Sequence, residues 1–71
     1  MDITIFPVPA MDLLYIRGLT KKCLIEILDL SGKILRIDEA EGGEVAISIG
    51  ELKNGFYFLR IDNQTFEFIK E

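Results

Sequence analysis

The chain predicts an all-β fold, a small antiparallel sandwich of about seven short strands. Three observations carry this. Apolar and polar residues alternate with a period of two along most of the chain. Turn-forming residues interrupt that alternation roughly every ten positions. No segment keeps an apolar 3.6-residue period over the length of an ordinary helix. The 71 residues make one domain with one core, and an apolar content of 49% favours a packed core over disorder.

Ile3-Thr4-Ile5-Phe6 reads as the first strand, stopped by Pro7 and Pro9, whose rings remove two ladder donors. Leu13 to Arg17 is the second, ended by a break at Gly18 and a basic turn around Lys21 and Lys22. Cys23 to Leu28 is the third, and Cys23 reads as a small buried hydrophobe at its start. Asp29-Leu30-Ser31-Gly32 is a turn: Asp29 can accept backbone hydrogen bonds across it, and Gly32 can take a positive φ.

Lys33 to Ile37 returns as the fourth strand, a hairpin with the third. Asp38 to Gly43 reads as a solvated acidic loop. Glu44 to Ile49 then alternates, with Val45, Ile47 and Ile49 facing inward. Gly50 to Gly55 has room for one helical turn, with Leu52 under the core. Phe56 to Ile61 and Thr65 to Lys70 close the chain as a hairpin around Asp62-Asn63-Gln64. Tyr57, Leu59 and Ile61 share one face, and Phe56, Phe58 and Arg60 the other, with Phe56 and Phe58 expected to pack as core. Chain ends fray unless a sheet holds them, so apolar residues as far as Ile69 predict a pinned terminus.

The chemistry of the chain points away from catalysis. Histidine is absent, so Ser31, Ser48 and Cys23 have no imidazole to activate them. Asp38, Glu39, Glu41 and Glu44 lack the alternating oxygen pattern of a calcium loop, and Gly42-Gly43 lacks the spacing of a phosphate loop. No catalytic residue, metal or cofactor is expected. A net charge of −4 with scattered basic residues disfavours nucleic acid as a partner. Asn63-Gln64-Thr65 fits the glycosylation pattern but coincides with a needed turn. No apolar run is long enough to span a bilayer as a helix, and Met1 to Ile5 has no basic n-region leading into an apolar stretch.

Three segments in fixed order carry a resemblance. They are Ile3 to Ala10 with its two prolines, Ile27 to Lys33, and Leu52 to Ile61 closed by Phe68-Ile69-Lys70. Together they resemble the C-terminal sorting domain of the type IX (Por) secretion system of Bacteroidetes, over essentially the whole chain. That family shows an Asn between its two early prolines, a D-x-x-G-[KR] hairpin, an L-x-x-G-x-Y strand and a lysine-bearing end. Val8 departs from the usual Asn, and Phe56 is bulkier than the usual aliphatic residue.

The resemblance implies an Ig-like sandwich and a single sorting domain, residues 1–71, cut from a larger exported protein. It implies an amino-terminal cargo in cis, passage through the periplasm to the outer-membrane translocon, and arrival at the cell surface or outside. It also implies removal by a sortase-like surface peptidase, at or before Met1. The motif residues carried over are Pro7, Pro9, Asp29, Gly32, Lys33, Gly55, Tyr57 and Lys70. Gly32, Gly55 and Tyr57 are expected to build structure. Lys70, at an exposed strand end, is expected to make direct contact. Edge strands would also let two copies form a homodimer. The competing reading is an Ig-like adhesion or carbohydrate-binding module that uses Tyr15, Phe56 and Phe58 as an aromatic strip.

Overall fold

A computed structural model describes residues 2–71; Met1, and any cleavage there, lies outside the described residues. Among the described residues there are seven strands and no helix: β1 (Thr4–Phe6), β2 (Leu13–Leu19), β3 (Cys23–Leu28), β4 (Ile34–Ala40), β5 (Gly43–Ser48), β6 (Gly55–Ile61) and β7 (Gln64–Lys70). They form two antiparallel sheets packed as a sandwich, one of three strands in the order β1-β2-β5, the other of four in the order β4-β3-β6-β7.

The core is where the period-two alternation places it. Leu14 and Ile16 of β2 and Ile47 of β5 face Ile25 and Ile27 of β3, Leu59 of β6 and Phe68 of β7, all buried. Ile49 joins them beyond β5, and its amide donates to the Asp12 carbonyl at 2.8 Å. Leu52 packs against this cluster from a non-helical turn.

Three sequence expectations are corrected. β2 does not break at Gly18 but runs on to Leu19 through a register shift, with Gly18 at φ 98°. A Cβ there would sit 2.2 Å from the Asp2 carbonyl oxygen, so glycine is what lets β1 lie so close. β4 extends through Asp38, Glu39 and Ala40, which leaves only Glu41 and Gly42 between it and β5. An edge strand tolerates charges that look like a loop: Asp38 pairs with Arg36 at 2.7 Å. Phe56 and Phe58 lie on the outer face of the four-stranded sheet, and Phe56 is 53% exposed.

The two open seams of the sandwich are each closed. At the β4–β5 side, Arg36 reaches across to the Ser48 carbonyl and to Glu51. At the β1–β7 side, the segment after the prolines crosses over: Ala10 forms a parallel bridge with Lys70.

Candidate functional site

Strand direction decides which residues meet. β3 ends where β6 begins, with Leu28 opposite Phe58, and β7 ends beside that start, with Lys70 opposite Gly55. β1 and β7 both start at the end where β2 turns into β3, since Thr4 pairs with Arg17 and Gln64 with Ile61, itself opposite Ile25, so the two strands run the same way. The proline segment, the Asp29 to Lys33 turn, the Lys53 to Gly55 turn and the carboxyl end therefore lie at one pole of the sandwich. The opposite pole holds Asp2, the β2–β3 turn and the β6–β7 turn. An open cleft of about 660 Å³ lies there, lined in part by Ile3, Lys21, Lys22, Cys23 and Asp62.

At the first pole Pro7, Val8 and Pro9 are exposed and Ala10 is fully buried. The Ala10 amide donates to the Ile69 carbonyl and the Glu71 amide to the Ala10 carbonyl, both at 2.8 Å. Nothing in the sequence around Ala10 marks it, because its burial comes from a strand distant in sequence.

Lys70 is not the exposed contact expected from its position. It is 6% exposed, and its Nζ donates to the Glu71 carbonyl at 3.0 Å. It follows Phe66 and Phe68 on the inward face of β7, so its methylene stem completes the core while the ammonium turns to the chain end.

Asp29 organises its turn as expected. Its Oδ1 accepts from the Ser31 amide at 2.9 Å, the Ser31 hydroxyl at 2.6 Å and the Lys33 amide at 3.0 Å. These donors, the Ser31 hydroxyl foremost, hold the Asp29 carboxyl below the usual aspartate range. Gly32, at φ 91°, donates its amide to the Asp29 carbonyl at 3.0 Å. Lys33 and Leu30 are exposed on either side. Tyr57 is buried, stacked on Phe68 with ring centroids 5.6 Å apart, and its hydroxyl donates to the Lys53 carbonyl at 2.5 Å. It thereby ties the turn before β6 to the core.

The family model for the secretion system C-terminal sorting domain matches residues 4–71, from the first residue of β1 to the carboxyl end. The chain belongs to this family. As a type IX sorting domain it serves as a secretion signal for a cargo carried in cis, toward the cell surface or the extracellular space. The family is not a catalytic one. No curated protein and no solved structure matches the chain.

Among the described residues no three carboxylate or cysteine side chains gather as a metal site. Cys23 is buried and free, and burial pushes its thiol pKa up, which disfavours the reactive thiolate. On the outer face of the four-stranded sheet Arg60 donates to Glu26 at 2.7 Å. That bond lowers the Glu26 pKa and raises that of Arg60. The aromatics are divided: Phe6 stacks on Tyr15 at 5.4 Å on the three-stranded sheet, under the Arg17 guanidinium, while Phe56 and Phe58 belong to the other sheet.

Proposed function

We propose that the sorting domain is read by the type IX outer-membrane translocon at its C-terminal pole. After transit through the periplasm, a sortase-like surface peptidase then separates it from its cargo. One observation carries the reading: Pro7, Pro9, Asp29, Gly32, Lys33, Gly55, Tyr57 and Lys70 belong to segments that fold to one pole, away from Asp2 where the chain enters. Within that pole the roles divide by exposure. Tyr57, Lys70 and Asp29 hold shape, whereas Pro7, Pro9 and Lys33 stand free for a receptor.

The β7 edge supports a second contact beside the pole. The Ile69 carbonyl faces away from β6, since it accepts from Ala10, and alternation puts the backbone groups of Thr65 and Glu67 on that same free side. An extended receptor segment could add there as a strand. The carbohydrate-binding reading loses its aromatic strip, because Tyr15 sits on a different sheet from Phe56 and Phe58.

The test is a periplasmic reporter fused ahead of residues 2–71 in a type IX-competent bacterium. Lys33→Glu and a Pro7→Ala, Pro9→Ala double substitution are expected to hold the reporter in the periplasm. Lys21→Glu with Lys22→Glu, at the opposite pole, should export normally. Export that fails only with the Lys21 and Lys22 changes would reverse the assignment. Surface reporter should also be smaller by about the 8.1 kDa of the domain, and full-length surface reporter would remove the peptidase step.

A further inference from the structure

Four strands border the two sheets, and they differ in what they leave open. β1 has three residues, and β7 is strapped by Ala10 at its carboxyl end. β5 turns Glu44, Ala46 and Ser48 outward, and Ser48 is bonded to Arg36. β4 is seven residues long and exposes Ile34, Leu35 and Ile37 by 42%, 41% and 56%. A long apolar edge strand is a pairing site unless charges oppose it.

The charges of β4 and its flanks do the reverse. Lys33 and Arg36 precede Ile37, whereas Asp38, Glu39 and Glu41 follow it. We propose that two copies of the domain pair antiparallel through β4, with the two-fold axis at Ile37. In that register Arg36 lies opposite the second copy's Asp38, and Lys33 opposite its Glu41. Ile37 meets its own counterpart, and Leu35 meets the stem of Glu39. Moving the axis to Arg36 or to Asp38 sets like charges against each other at the centre, which destabilises a strand pair. The axis at Ile37 keeps each face of the sheet continuous, giving eight strands and setting the exposed Ile37 of one copy against that of the other.

Within one copy Arg36 already pairs with Asp38 and Glu51, so the pairing sets the two arginines among the carboxylates of both copies. β4 and β7 are opposite edges of their sheet, so pairing leaves the Ala10 strap and the β7 edge uncovered. The proposal rests on β4 alone, and its failure would leave the export reading standing.

A single added strand pair is a small interface, so the dimer should be weak and concentration-dependent. Sedimentation of the 71-residue chain should move from 8.1 kDa toward twice that mass between roughly micromolar and millimolar concentrations. Ile37→Lys should remain monomeric at every concentration with an unchanged circular dichroism spectrum. Lys33→Glu should weaken the dimer about tenfold, and adding Glu41→Lys should restore it. In a Cys23→Ala background, Ile37→Cys should crosslink to itself under oxidation, because opposed residues lie within disulfide reach. Leu35→Cys should not, since its partner is Glu39. A chain monomeric at all concentrations overturns the proposal. So does a dimer indifferent to Ile37→Lys, or one that crosslinks as readily through Leu35→Cys.

Discussion

Ala10 and Lys70 form a parallel bridge that fastens the proline segment to the last strand. The bridge closes one seam of the sandwich and buries both residues, Ala10 completely. It makes the carboxyl end part of the fold instead of a tail laid on it.

Removing Lys70 and Glu71 deletes the Glu71 amide's bond to Ala10 and the lysine stem, and leaves the Ile69 acceptor on the last residue. The expected loss is about 2–3 kcal/mol, read from the denaturant midpoint. Lys70→Met keeps the stem and should cost under about 1 kcal/mol. If Lys70→Met is exported normally, the ammonium is not what the translocon reads.

Asp29 and Glu26 make stability acid-sensitive. Both carboxyls titrate below their ordinary values in the folded chain, Asp29 through Ser31 and Lys33, Glu26 through Arg60. Their contribution is therefore complete above the unfolded values, near pH 4, and disappears as pH falls through the lower folded ones. Thermal midpoints should drop progressively as pH falls below about 4. Asp29→Asn and Glu26→Gln should each flatten that drop. An unchanged slope in both would remove these two residues as its source.

Two phenylalanines of the terminal hairpin should behave oppositely. Phe68 is fully buried against Tyr57, so Phe68→Ala should cost about 3–5 kcal/mol, enough to unfold much of so small a domain. Phe56 is 53% exposed, and Phe56→Ala should shift stability by only about 0.5 kcal/mol. Urea unfolding of the two variants separates them directly.

Gly18 and Gly32 both adopt positive φ, but their surroundings differ. An added methyl at Gly18 meets the Asp2 carbonyl at 2.2 Å, whereas nothing lies within 4 Å of one at Gly32. Gly32→Ala should cost about 1 kcal/mol, for backbone conformation alone. Gly18→Ala should cost roughly 2–4 kcal/mol and loosen β1, visible as faster amide exchange at Ile5.

The strands were legible wherever one face meets the core, because alternation reports burial directly. That is why β3, β5, β6 and β7 fall within a residue of their expected bounds. β2 and β4 ran past expectation for two reasons. A glycine bulge continues a strand that looks broken, and the acidic end of β4 lies on an edge where charge is tolerated. The Asp29 turn was readable because its donors are all within four residues of it. Lys70 reads as exposed from its residue type, whereas parity puts it on the inner face. Ala10 carried no local sign at all, since its partners, Ile69 and Glu71, are at the far end of the chain.

The parallel course of β1 and β7 gives the domain a mechanical direction. Asp2 lies at one pole and Glu71 at the other, across a body whose longest dimension is 30 Å. Traction applied between these two ends would be directed along the strands. The β1–β2 and β6–β7 ladders would then resist in shear, many hydrogen bonds at once, and would not unzip one by one. A pull on the last residues would thus load each ladder as a whole, whereas the same pull applied at a turn would break its bonds in sequence.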